Sequence, residues 1–313
     1  MGVADLEGSL PASPGPRPCC LFAAPLPIFG DKLPIPPFFD PFDEAALKHH
    51  YGGGDQYGLV YTCRGGFLDL GHLRDLIDIT RYYYNALAIP DRTFAPASEL
   101  GSCIVKEPLP TEPAANKNER IAIARSMAFA ESVYHEIETY WQYVFGAHQS
   151  SFSPEDLPSN WLGTYVAEQA LRDEEHDFDE AATIALKALL KQLGALDRNG
   201  TSIAFSRVMI IGRWIGNDPS KNSYLKRRNF TNMPWLVGSV PCTSTTWPST
   251  VSLVDTKRSA YEITFTVDPA KEKLLDDRAK QLGEKVKSSD FEFHVQHIAD
   301  DAKTRYGPDF ATP

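Results

Sequence analysis

Between about Asn118 and Phe145, apolar residues recur every three or four positions: Ile123, Met127, Ala130, Tyr134, Ile137, Trp141 and Val144. An α-helix turns once in about 3.6 residues, so these side chains fall on one stripe that has to be buried. A helix this long sets a helical core against which the rest of the chain packs. The same periodicity predicts a helix from about Asp69 to Leu87, with Asp69 as its N-cap. Two more are expected, from near Ser159 to Leu171 and from about Asp177 to Leu193, the last ending before Gly194.

The remaining segments carry other signals. Residues 1–57 are rich in Pro, Gly and aromatics and read as a leader and wrapping segment, because proline fixes the backbone and removes a donor. Residues 58–63, GLVYTC, read as a short strand broken by Arg64-Gly65-Gly66, and residues 90–117 as Pro-rich loop. After Gly200 the stretches SIAFSRVMIIGRWIG and YEITFTVD are rich in β-branched and aromatic residues and read as strands. A last helix is expected over Pro269 to Lys287, and FEFHVQHIADDAKTRY closes the chain as strand or helix. The fold class is therefore α+β: residues 58–313 form one mainly helical core domain with a small C-terminal β element, β-rich from about residue 201.

The net charge of −10 and pI of about 5.3 exclude nucleic acid as a natural partner, since a polyanion needs a basic footprint. The densest basic run, Lys226-Arg227-Arg228, reads as solvated surface. There is no apolar run of about 18 residues, so no transmembrane segment is expected. The leader lacks a basic start followed by an apolar stretch. The chain as it stands thus reads as cytoplasmic, and as a bacterial envelope protein if a signal was removed. The five cysteines, Cys19, Cys20, Cys63, Cys103 and Cys242, are irregularly spaced and contain no CxxC pair. A disulfide framework and a zinc knuckle are both disfavoured, leaving room for one bridge such as Cys20 to Cys63.

The polar residues on the two best helices carry the chemistry. On the long helix Glu131, His135 and Glu138 share a face beside the apolar stripe, while Glu136 points about 100° away from His135. On the shorter helix His72 and Asp75 are three apart. One His and one carboxylate from each of two helices satisfy a divalent ion's need for three or four converging nitrogen and oxygen ligands. Such an ion would be zinc, or magnesium or manganese. A glutamate off the metal, with Glu136 as candidate, would move protons. YHEIETYW reads HExxT and lacks the second histidine of zinc peptidases. Ser159 or Asn160 is a natural helix N-cap. Together with Asp156 these residues would present polar groups and helix N-terminal amides to an anionic substrate, with Gly163 allowing close backbone approach. Cys63, beside Arg64 and nine residues before His72, is a further candidate as a nucleophile.

RPCC at 17–20, GLVYTCRGGFLDLGHLRD at 58–75, YHEIET at 134–139 and SPEDLPSNWLG at 153–163 resemble DUF4056, a bacterial family of uncharacterised proteins often described as lipoproteins. The resemblance spans roughly residues 17–230. It implies that Cys20, Cys63, His72, Arg74, Asp75, His135, Glu136, Asp156, Ser159 and Asn160 cluster. It favours Glu136 over Glu138, whereas helix geometry alone favours Glu138. The choice between them stays open at this point.

The reading that follows is a metal-dependent hydrolase acting on a small or polymeric polar substrate. Its metal ligands would come from His72, Asp75, Glu131, His135 and Glu138, and its catalytic groups from Glu136, Asp156, Ser159, Asn160 and Arg74. Two rivals remain. One is a magnesium-dependent lyase or cyclase using Asp75 and Asp78 against a diphosphate, with Tyr82, Tyr83, Tyr84 and Trp141 lining an apolar pocket. The other is a non-enzymatic binding or envelope protein in which the polar cluster only fixes the helices.

Overall fold

The computed structural model describes residues 37–88, 97–100, 103–106, 116–141, 151–210, 215–216, 224–225, 227–238, 264–267 and 285–307, with Pro14, Val240 and Cys242. It is an α+β protein with a helical core. The described elements run α1 (Glu44–Leu47), β1 (Leu59–Thr62), β2 (Gly66–Asp69), α2 (Leu70–Ala86), β3 (Ala97–Leu100), β4 (Cys103–Lys106) and α3 (Lys117–Trp141). They continue with α4 (Asp156–Arg172), α5 (Phe178–Leu193), α6 (Arg198–Ile210), β5 (Ile215–Gly216), β6 (Tyr224–Leu225), β7 (Thr264–Val267), β8 (Lys285–Lys287) and α7 (Phe291–Tyr306).

Helix α2 is the axis of the molecule and packs against both α3 and α4. Asp69 caps it as expected, its carboxylate accepting from Gly71 N at 2.7 Å. The crossing with α4 is close because Gly163 has no side chain. A Cβ there would lie 2.2 Å from the Leu73 carbonyl oxygen and 2.8 Å from Leu76 Cβ. Gly163 thus admits a neighbouring helix. One apolar cluster joins α2, α3 and α7 to Phe265 and Val286 of the strands. A second joins α1, the β1–β2 hairpin, α2, α4 and α5. With apolar side chains on both sides, α2 is buried over most of its length.

The strands are short and antiparallel. β1 pairs with β2 from Leu59–Asp69 to Thr62–Gly66, and a four-stranded sheet runs β3-β4-β7-β8. The hairpin is fastened to the end of α5, where Cys63 N donates to the Gly194 carbonyl at 3.1 Å. Gly194 itself closes α5 in the left-handed conformation, φ 68°.

Several expectations need correction. Residues 202–210, expected as strand, belong to α6, Ile215–Gly216 are extended, and 211–214 lie outside the described residues. The β-branched content is overridden by an N-terminal turn in which Gly200 N donates to Asp197 Oδ1 at 2.7 Å, and by burial of Ala204 against the hairpin. The loop expected over 90–117 contains the β3–β4 hairpin. Lys285–Lys287, the end of the helix expected from Pro269, is strand β8, and residues 268–284 lie outside the described residues. The final segment is helix α7. The long helix is described to Trp141, and its expected end at Phe145 lies outside the described residues. Helix α4 starts at Asp156, so Ser159 and Asn160 sit inside it and cap nothing. Its start is set by a tight turn, with Ser153 N donating to Asp156 Oδ2 at 2.7 Å. Pro158 is tolerated in the first turn, where a missing N–H costs nothing.

Cys63 is bridged to Cys242, with a Cα separation of 5.5 Å across 179 residues of sequence. This replaces the suggested Cys20–Cys63 pairing and removes Cys63 as a thiolate nucleophile. Cys20 lies outside the described residues.

Candidate metal centre

Three helices and one loop bring the polar groups together. His72 comes from the first turn of α2, Glu136 from α3, and Asp156 and Asn160 from α4, where their spacing of four residues puts both on one face. His72 Nε2 lies 3.3 Å from Asp156 Oδ1, and His72 Nδ1 lies 3.2 Å from Asn160 Oδ1. One ligand atom each from His72, Glu136 and Asp156 falls within 4.8 Å of the other two, and all three residues are buried.

The loop before α4 holds Glu136 in place. Phe152 N donates to Glu136 Oε2 at 2.6 Å, and Ser151 Oγ donates to the Glu136 carbonyl at 2.7 Å. Phe152 does this from φ 56°, a left-handed backbone that is costly for a residue with a side chain. The loop is held in turn from 228–229: Arg228 Nη1 donates to the Ser151 carbonyl, and Asn229 N donates to the Phe152 carbonyl at 2.8 Å. Arg228 is only 2 % exposed, its guanidinium stacked over Tyr140, so it is not the solvated cation that its basic run suggested. No signal in Lys226-Arg227-Arg228 distinguishes it from its neighbours.

Burial dominates the electrostatics. Removal from water pushes the His72 imidazole down to about 3, helped by the nearby His135, while the Asn160 contact works the other way. The same effect raises the Glu136 carboxyl to about 7, against the pull of the Phe152 N–H, Asp156 and Arg228. Glu155 is raised to about 8, with Asp69 and Glu136 adding to the desolvation. Asp69, Asp75, Glu131, Glu136, Glu138, Glu155 and Asp156 are all buried, against Arg74 and Arg228 as the buried guanidiniums among the described residues. An excess of buried carboxyl groups is stable only if protons or a cation compensate it.

The other expected site residues are placed as follows. Glu138 is buried on α3, but Glu136 is the glutamate beside His72 and Asp156, because the loop delivering Phe152 N approaches that face. Glu131 accepts from the Tyr83 hydroxyl. Asp75 is buried on α2 outside the three-residue group. His135 is close enough to affect His72 electrostatically, and its Nε2 lies 3.4 Å from Thr139 Oγ1. Ser159 links elements: its hydroxyl donates to the Glu155 carbonyl at 2.6 Å and accepts from Asp69 N at 2.9 Å. Arg74 faces away from His72. It pairs with Asp55 at 2.7 Å and donates to the carbonyls of Ala46 and Lys48, fastening α1. Asp78 lies on that same side, held by His49 Nε2 and Gly52 N, each at 3.0 Å.

A protein of the α+β class, with helices at its centre, thus carries an imidazole and two carboxylates that converge in its interior. Residues 40–232 match the family described as "Protein of unknown function (DUF4056)", and the chain belongs to that family. His72, Glu136, Asp156, Asn160 and Arg228 all lie within the matched part. No curated protein and no solved structure matches the chain.

Proposed function

We propose that this protein is a metal-dependent hydrolase of a polar substrate, with His72, Glu136 and Asp156 holding one divalent ion. The observation that carries the reading is the 3.3 Å approach of His72 Nε2 to Asp156 Oδ1, with Glu136 inside the same 4.8 Å group. Metal–ligand bonds of about 2.0–2.1 Å at tetrahedral angles place neighbouring ligand atoms about 3.3–3.4 Å apart. One imidazole and two carboxylates suit zinc or manganese and leave positions for water and substrate. An ion held there lowers the pKa of a bound water toward neutrality, which makes a nucleophile for an electrophilic carbon or phosphorus. His135 is 9 % exposed, more than His72, Glu136 or Asp156, and is the group suited to exchange protons with solvent. Glu155 is a buried carboxyl beside the cluster and stores a proton near neutral pH.

The test is metal analysis of protein purified without a His tag, followed by assay of the zinc- and manganese-loaded forms against chromogenic esters, phosphoesters and peptides. The expected result is about one metal per chain, lost in His72→Ala and Asp156→Asn together with any hydrolysis. A wild-type protein that binds neither ion would overturn the proposal.

A further inference from the structure

Resting on the metal reading above, we infer that Asn160 is a positioning residue: its Oδ1 accepts the His72 Nδ1–H and so aims the Nε2 lone pair at the point shared with Asp156 and Glu136. The His72 ring stands between two acceptors, Asn160 Oδ1 at 3.2 Å on the Nδ1 side and Asp156 Oδ1 at 3.3 Å on the Nε2 side. A neutral imidazole has one N–H and one lone pair, and donates to only one of them. Donation from Nε2 to Asp156 leaves the Nδ1 lone pair against the Asn160 oxygen. Donation from Nδ1 to Asn160 leaves an imidazole lone pair and a carboxylate converging, an arrangement that binds a cation. Histidines that ligate metals are regularly oriented in this way through their second nitrogen.

The local sequence makes the arrangement rigid. Asn160 follows Asp156 by one helical turn, so α4 supplies both a ligand and the group that aims its partner ligand. Asn160 is 1 % exposed, which keeps water from replacing its oxygen. Gly163, one turn further on, lets α2 come close enough for the contact.

The experiment uses the full chain with ¹⁵N-labelled histidine, loaded with zinc. The expected His72 spectrum has Nδ1 protonated and Nε2 metal-bound. Asn160→Leu is expected to weaken zinc binding about 10–100-fold, and Asn160→Asp, which keeps an acceptor, to restore it to within a few-fold of wild type. A zinc-loaded wild type with His72 protonated on Nε2, or an Asn160→Leu protein that binds zinc as tightly as wild type, would overturn the inference alone. A wild-type chain that binds no zinc or manganese overturns it together with the functional reading. The wild-type spectrum decides the matter even if Asn160→Leu fails to fold.

Discussion

Phe152 donates its main-chain N–H to the Glu136 carboxylate at 2.6 Å from a left-handed backbone conformation, φ 56°. Its ring is fully buried and packs against Phe230 with centroids 5.0 Å apart. The ring therefore anchors a backbone geometry that the residue would not adopt alone, and that geometry aims an amide at the site.

Truncation at this position should separate the two contributions. Phe152→Ala is expected to cost about 3–5 kcal/mol through the lost ring. Phe152→Gly should be about 1 kcal/mol more stable than Phe152→Ala, because glycine carries no left-handed penalty. Thermal melts of the pair check this. The reverse order would show that the backbone strain is not stored at residue 152.

Replacing Gly163 by Ala tests the helix crossing. The added methyl meets the Leu73 carbonyl, which is backbone and cannot swing aside. We expect a loss on the order of 2–4 kcal/mol by denaturant titration and at least about a tenfold loss of zinc affinity, since α2 carries His72 and α4 carries Asp156. A variant with unchanged stability would mean that the helices separate easily.

The pH dependence follows from the buried carboxyls. The folded pKa of Glu136 is about 7 and that of Glu155 about 8, both raised from 4.5, so the folded state holds protons that the unfolded state has released. Stability of the metal-free protein should therefore fall as pH rises from about 5 to 8. His72, lowered from 6.5 to about 3, works in the opposite sense and costs stability as pH falls below about 6.5. Zinc affinity should fall below about pH 7, where Glu136 must release a proton to ligate. Melting curves from pH 5 to 8, with and without zinc, read both effects. Glu155→Gln should raise the metal-free melting temperature several-fold more at pH 8 than at pH 5. A flat metal-free profile would contradict the assigned shifts.

Reduction of Cys63–Cys242 should cost about 4–5 kcal/mol, as expected for a cross-link closing a loop of more than 100 residues. Urea titrations with and without reductant measure this. Iodoacetamide should label Cys63 only after reduction. Labelling at Cys63 in the untreated protein would show the bridge to be absent.

Much of the helical frame could be read from periodicity and caps. Asp69 capping α2, Asp177 capping α5 and Gly194 ending it are local chemistry, and local chemistry is visible in sequence. His72 stood out for the same reason, as a histidine on a capped amphipathic helix. The choice of Glu136 was not visible from spacing, because it depends on where a distant loop places the Phe152 amide. Asp156 and Asn160 were grouped, but their shared helix face was hidden by a helix start placed three residues late. Arg228 and Cys242 were beyond reach, since burial and bridging there depend on contacts across 77 and 179 residues of chain.

Helix α2 has buried polar groups on opposite sides. His72 looks toward Asp156 and Asn160, while Arg74 and Asp78, about 200° and 240° around the axis, engage Asp55, His49 and Gly52. An oily cylinder tolerates small rotations, but a rod keyed on two sides does not. Inserting a single residue after Leu73 would turn Arg74 and Asp78 by about 100° relative to His72 and pull one set of keys out of its lock, so evolution can lengthen the rod between them only by whole turns.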